Sequence, residues 1–372
     1  MSHYPARSRK AKPSRRTVFG LAAVSAALPV AEAAWAREGE VWKSQAAYTA
    51  DLVVTPNGSG RAWALDNLDL TGDLDLDALA GLRDAVFHAG LLINTGGQPD
   101  AALGTLEGLD NIEVTRPRTR LFEAWLQQDF GAGRGSVRAG LYDLNSEFYA
   151  TAASDQLIHP AFGIGTELSA TGSAGPSIFP STALAVRLRW EDERKRYVQA
   201  AIIDAKAGTL GDPGGVDLGF AQGALGVVQV GGGDRSRWAV GAWRYGFERD
   251  DTGTPRARGI YGLFERDLTS DHGRGITLFV RGGASAGRAP IAVSLQAGAT
   301  KGGVWASRPD SRLSVGFHYA KARGDGSEVG FEAAYADKIA PRTTLQPGLQ
   351  LVAAPGGRSI AIASLRLIVE AW

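Results

Sequence analysis

The chain has 372 residues, with 40 Lys or Arg against 39 Asp or Glu, 49 glycines and no cysteine. Without thiols it relies on no disulfide framework and offers no thiolate metal site. Mean hydropathy is slightly negative, which excludes a bundle of membrane helices but suits a barrel in which half of each strand is polar.

Residues 1–36 are built differently from the rest. Arg7, Arg9, Lys10, Lys12, Arg15 and Arg16 precede an apolar stretch from Val18 to Val30, and small-residue cleavage sites follow at Ala31-Glu32-Ala33 or Ala34-Trp35-Ala36. This is the pattern of an export leader. The segment Ser14 to Phe19 resembles a twin-arginine signal, and a general-secretion leader carries such pairs as well, so the route stays open. Removing the leader takes six of the 40 basic residues and one of the 39 acidic ones, leaving 34 against 38 and a net charge of −4. The mature chain therefore gives no electrostatic case for nucleic acid.

From about residue 183 to Trp372, ten-residue stretches in which apolar residues alternate with polar or small ones follow one another almost without break, and similar stretches lie between the loops before it. Period-two alternation predicts strands at 41–55, 61–73, 83–95, 118–130, 135–147, 183–191, 196–206, 219–231 and 236–250. Further strands are predicted at 255–269, 272–287, 289–302, 310–323, 327–339, 342–353 and 358–372. Leu313, Val315, Phe317 and Tyr319 oppose Ser314, Gly316 and His318; Val329, Phe331, Ala333 and Tyr335 oppose Gly330, Glu332 and Ala334. Sixteen strands make an even count, which puts both termini on one side of an outer membrane and leaves an aqueous lumen. The fold class expected is all-β, a transmembrane antiparallel up-and-down barrel, with residues 37–372 as one domain. Glycines within the strands, Gly223, Gly282 and Gly316 among them, suit a curved closed sheet.

The connections differ in length. Glu191 to Lys195 is a short charged turn, whereas Phe148 to Thr182 is a long loop of the kind that is usually functional. Two other long loops, Gly96 to Arg116 and Ala207 to Leu218, are expected on the outside. In the last strand Ala361, Ala363, Leu365, Leu367 and Val369 form the apolar face, and Trp372 falls out of phase with them.

Several segments resemble the carbohydrate-selective porins of the OprB family. These are Leu121 to Leu126, Arg138 to Phe148 with its Asp143-x-Asn145-x-Glu147-Phe148 core, Phe162 to Gly165, Pro180 to Leu188, and Leu345 to Leu351 leading to Pro355-Gly356-Gly357. The resemblance runs from Tyr48 to the C-terminus. It implies a passive outer-membrane channel for small carbohydrates, mono- and disaccharides first, whose long loop folds into the lumen and narrows it. Membrane lipid, small sugars and the barrel-assembly machinery are the implied partners, with the channel a monomer or a homotrimer. Gly172 to Pro180 is a small-residue version of the family's loop, and the lumenal aromatics are fewer.

A sugar channel needs hydroxyl-matching donors and acceptors at a narrow waist, together with flat rings. Glu123, Trp125 and Gln127 share one face of their strand; Arg138 and Tyr142 share the lumen side of the next, and Arg187 and Arg189 that of the strand at 183–191. An arginine facing lipid near the midplane costs about 2–4 kcal/mol, so these should face water. Arg120 is counted with the lining. Asp143, Asn145 and Glu147 enter the long loop and either bind solute or brace the loop. A solvated wall without selectivity is the alternative role for the whole set, and a general small-solute porin the corresponding function.

Nothing points to catalysis, a cofactor or a metal. His3, His88, His159, His272 and His318 show no paired ligand spacing. Gly131-Ala132-Gly133 and Gly231-Gly232-Gly233 join strands and open no helix, as a phosphate loop must. The alternative from another class is a secreted, soluble β-rich glycan-binding or glycan-active protein with its apolar faces turned inward.

Overall fold

Where apolar residues alternate with polar ones, the chain of this computed structural model forms strands that close on themselves. The structure describes residues 41–56, 60–172, 175–208, 215–220, 223–246, 256–269, 274–324 and 326–371. The leader assigned to residues 1–36 and the terminal Trp372 lie outside them.

Eight strands build the first half: β1 (Trp42–Val54), β2 (Ala62–Asp75), β3 (Ala85–Gly96), β4 (Arg118–Phe130), β5 (Gly135–Tyr142), β6 (Ala183–Glu191), β7 (Arg196–Asp204) and β8 (Ala224–Gly232). The second half is β9 (Ser236–Gly246), β10 (Arg258–Asp267), β11 (Ile276–Ala286), β12 (Ile291–Gly302), β13 (Arg312–Ala322), β14 (Ser327–Ala340), β15 (Thr343–Ala354) and β16 (Arg358–Ala371). Each strand pairs antiparallel with its sequence neighbours, and β1 closes the ring on β16 from Ala46↔Ala371 to Val54↔Ala363. A closed sheet leaves no unpaired edge, which is the condition for backbone to cross a bilayer as strands.

The faces decide between membrane and water. Leu313 and Val315 are exposed on the outer face of β13, while Ser314 and His318, on the opposite face, are fully buried. On β15, Leu349 and Leu351 are more than 60% exposed, whereas Gln346 and Gln350 are buried. A soluble sandwich would bury the leucines and solvate the glutamines, so apolar side chains outside and polar ones inside match a barrel in lipid. On β16 the outward set is the one the alternation predicted, with Leu365 exposed and Ile362, Ser364 and Arg366 buried. Replacing Leu349, near the middle of β15, by Arg is expected to destabilise the folded barrel by about 2–4 kcal/mol in a reversible urea titration in vesicles. An unchanged midpoint would contradict a lipid-facing position.

Turns at the end bearing the termini are short, for example 131–134 and 341–342, and the long connections lie at the opposite end. Two expectations need correction. The strand predicted at 135–147 stops at Tyr142, because Asp143 Oδ1 accepts the Asn145 N–H at 2.8 Å and turns 144–146 into a helical turn. The loop expected outside at 96–116 instead enters the barrel. Its Leu109 and Ile112 are buried against Val53, Leu65, Val352, Ile360 and Ile362, which line the inner wall at that end. Glu328 on β14 accepts the N–H groups of Leu106 (2.7 Å) and Glu107 (3.1 Å), so the inserted backbone keeps its hydrogen bonds. Of the other loop placed outside, residues 215–220 are largely exposed, but Ala207 is buried against the wall.

Candidate functional site

The connection between β5 and β6, residues 143–182, has few aliphatic residues and many small ones, too little for a core of its own. It makes one with the wall. Phe148, Tyr149, Leu168 and Ile164 pack with Ala201, Ile203, Leu225, Val227 and Tyr261, and Leu157 and Phe162 pack with Phe279 and Ala334. Gly316 on β13 makes room for this: a Cβ there would meet Leu157 Cδ1 at 2.7 Å.

Polar wall residues hold the loop's backbone. Arg281, 1% exposed, donates to the carbonyls of Ala161 (2.7 Å), Gly163 (2.9 Å) and Tyr149 (3.3 Å) and to Thr151 Oγ1 (3.2 Å). Glu332 accepts from the N–H groups of Ile158 (2.6 Å) and His159 (2.8 Å), and Glu265 from that of Ala153 (2.7 Å). Gln229 accepts from Tyr149 N–H and from the Tyr261 hydroxyl, and Gln346 donates to Gln156 O. The loop's contacts thus run along the wall from β7 to β15.

At the root of the loop, the inner faces of β4 to β7 carry a single connected network. Register places Gln127, Arg138 and Arg187 side by side on β4, β5 and β6. Arg138 donates to Gln127 Oε1 from Nε (3.0 Å) and Nη2 (2.8 Å), and Arg187 reaches the same oxygen at 3.1 Å. Arg187 also grips both Glu147 oxygens, at 2.7 and 2.8 Å, and the Tyr142 hydroxyl donates to Glu147 at 2.6 Å. Glu123 accepts from Trp125 Nε1 (3.1 Å) and from Asp143 N–H (3.0 Å). Arg189 donates to Gln199 (2.7 Å), whose amide donates to Glu147 O (2.9 Å).

Trp125 is covered from both neighbouring strands. His88 of β3 stacks on it with centroids 4.6 Å apart, and the Arg138 guanidinium of β5 lies 3.7 Å from its ring centre. Gly140, opposite Trp125 on β5, has φ +141°, and a Cβ would meet Trp125 Cα at 2.6 Å. The ring is therefore flanked by an imidazole and a guanidinium, and its flat faces are not free for a sugar.

Electrostatically, burial alone would raise the Glu147 carboxyl, but Arg138 and Arg187 outweigh it and hold the group below its ordinary value. Burial, then the neighbouring Glu123 carboxylate, pushes Asp143 up to about 8. The loop root is therefore one fixed carboxylate between guanidinium groups, next to a carboxyl whose ionisation burial and Glu123 disfavour.

Nine of the eleven candidate residues share this network: Glu123, Trp125, Gln127, Arg138, Tyr142, Asp143, Glu147, Arg187 and Arg189. Asn145 lies beside it and donates to Phe148 O within its own turn. Arg120 stands apart, buried and donating to Pro180 O (3.0 Å) and Arg116 O (3.3 Å), so it ties the loop's return to its wall. It reaches the inner face because a register shift between Gly90 and Leu91 of β3 leaves Phe122 of β4 without a Cα partner, reversing the parity ahead of Glu123. Sequence reasoning missed His88, Ser136, Gln199, Arg281 and Glu332. All sit on inward faces opposite apolar outward neighbours, and that face assignment was the available signal.

A closed sixteen-strand antiparallel barrel, greasy outside and polar inside, with a long loop folded into its lumen, is an outer-membrane porin. The chain belongs to the family described as carbohydrate-selective porin, OprB family, whose model matches residues 61–367. Among solved structures, the high-pH form of Pseudomonas putida OprB superposes with a TM-score of 0.77 at 16% identity, covering 89% of this chain and 94% of that one. Its low-pH form gives 0.63 at 15% identity, covering 89% and 92%. An anion-selective porin from Comamonas acidovorans gives 0.57 at 12% identity, covering 89% and 99%. No curated protein sequence matches. The protein is thus a porin of the bacterial outer membrane, in contact with its lipid.

Proposed function

We propose that the protein passes mono- and disaccharides passively through its lumen, past the inner faces of β4 to β7, and that the networked residues form its constriction. The observation that carries this reading is the mixed sign of the lining. Arg138, Arg187 and Arg189 interleave with Glu123, Glu147 and Glu191, and each guanidinium has a carboxylate or amide partner. A ring of one charge would draw ions, whereas paired charges present many donors and acceptors with little net field, which suits neutral polyols. Weak, multiple contacts also let a solute leave as readily as it enters. Asn145 and Arg120 are assigned to bracing the loop. Export by the leader at residues 1–36 and insertion by the barrel-assembly machinery, as monomer or homotrimer, complete the reading.

The test is liposome swelling with glucose against gluconate, an anion of similar size. Glucose should enter faster, and equal rates would reduce the protein to a general porin. Arg138→Ala removes both the Gln127 bonds and the cover on Trp125, a contact worth roughly 0.5–2 kcal/mol. It is expected to alter the glucose rate several-fold while the folded barrel keeps its heat-modifiable gel mobility. An unaltered rate would take Arg138 out of the constriction.

A further inference from the structure

On the outer face of the barrel, at the end opposite the termini, two arginines stand side by side. Arg244, near the end of β9, and Arg258, at the start of β10, are direct Cα partners; both are exposed, and they share the outward parity of Val240 and Ile260. Like charges set directly opposite on one face repel. Among the described residues neither arginine has an ion pair or a hydrogen bond to offset this. We propose that Arg244 and Arg258 bind a phosphate group of the glycolipid in the outer leaflet of the membrane, whose acyl chains run down Val228, Val240 and Ile260.

Three features favour a lipid phosphate there. The first is height. Arg258 and Arg266 bracket the outward residues Ile260, Gly262 and Phe264 of β10. The eight residue steps between them, at about 3.4 Å each and tilted about 40°, rise about 20 Å, close to an apolar band of about 25 Å. Arg258 therefore sits at the edge of the hydrocarbon on the side of the long connections, where a charged head stays wet, and Arg266 sits at the opposite edge.

Second, the edge has room for a headgroup. The row that holds the pair continues to Gly226 of β8 and Ala286 of β11. A Cβ at Gly226 would meet nothing closer than Arg244 O at 3.9 Å. At the opposite edge, the outward partners on β9 and β10 are Trp238 and Phe264, an aromatic pair of the kind that girdles barrels at both interfaces. On these strands two arginines between small residues take the place of the second girdle. Third, the chemistry is complementary. A phosphate accepts paired bonds from planar guanidinium groups, and its charge cancels the repulsion between them. The next row toward the middle of the membrane, Val228, Ala242 and Ile260, is apolar, with its valine and isoleucine exposed. The chains of an amphiphile would thus continue where its head ends, whereas a soluble anion would gain nothing from that surface.

Tag-free, full-length protein is refolded in lipid-free detergent and titrated with bis-phosphorylated lipid A, binding being read by native mass spectrometry. About one lipid per chain should be retained, and the same lipid stripped of both phosphates should bind roughly tenfold more weakly or worse. The double variant Arg244→Ala with Arg258→Ala should lose binding to the same extent, whereas Arg266→Ala, at the other edge of β10, should keep it. Inorganic phosphate in excess should leave the lipid bound. Heat-modifiable mobility reports folding for every variant. Equal retention of phosphorylated and stripped lipid by the wild type would overturn the proposal, as would wild-type affinity in the folded double variant or an equal loss in Arg266→Ala. Displacement by inorganic phosphate would also overturn it, by assigning the pair to a soluble anion. None of these readouts depends on what passes through the lumen.

Discussion

Replacing Arg281 by alanine should release the inserted loop from the wall and raise single-channel conductance, the largest functional change expected from a single substitution. The side chain crosses from β11 to four acceptors spread over residues 149–163, three of them backbone carbonyls. Ala161 lies in the helical turn at 160–162, Gly163 caps that turn, and Tyr149 lies between the turns at 144–146 and 152–154. Bonds from a charged donor contribute about 1.5–3 kcal/mol each, though they do not add fully. Loss of the guanidinium would cost roughly 3–5 kcal/mol of loop docking and leave several carbonyls unpaired. The sixteen-strand hydrogen-bond ladder does not involve this side chain, so the barrel itself should stay closed. Planar-bilayer recordings should show larger, noisier openings, and chymotrypsin should gain access near Phe148 and Tyr149. Arg281→Lys should recover only part, because a point charge cannot reach four separated acceptors as a planar fork does. Wild-type conductance together with wild-type protease resistance in Arg281→Ala would show that the loop is held by its apolar contacts alone.

The second large effect is expected at the loop root. Arg187 is 1% exposed and chelates Glu147, which also accepts from Tyr142. Arg187→Ala leaves that carboxylate half-buried beside a tyrosine and Arg138, at a cost of about 3 kcal/mol. The double replacement Arg187→Met with Glu147→Gln removes both charges and should restore most of the stability; urea titrations of the four proteins give the coupling directly. Additive losses would mean that the pair is not a unit. Acid should act on the same contact. Because the folded Glu147 pKa lies below its unfolded value, its contribution is fully present above the unfolded value, near pH 4.5, and is lost as pH falls through the lower folded value. Between those limits wild type should lose stability faster than Glu147→Gln on acidification.

Much of the barrel could be read without coordinates. The bounds of β4 and β6 coincide with the alternation at 118–130 and 183–191, since the pleat puts successive side chains on opposite faces whatever the strand's neighbours are. The pairing of Gln127 with Arg138 follows as well, because a four-residue turn at 131–134 sets the register of that hairpin. Arg187 sits beside Arg138 by β5–β6 pairing, yet forty residues of loop separate those strands, and no local rule supplies that register.

The inserted loops were legible only in part. Residues 97–117 look like any polar surface connection, and their burial depends on Glu328, Gln350 and Arg366, more than 200 positions away. The stacking of His159 of the long loop on His318 of β13 is hidden for the same reason. By itself the sequence determined that strands exist, how many there are and which face of each is apolar, because alternation acts between residues two apart. Closure of the ring decided what lies inside it: only when β1 meets β16 do the polar faces enclose a lumen, and only an enclosed wall can offer buried acceptors and guanidinium groups to loops arriving from distant parts of the chain.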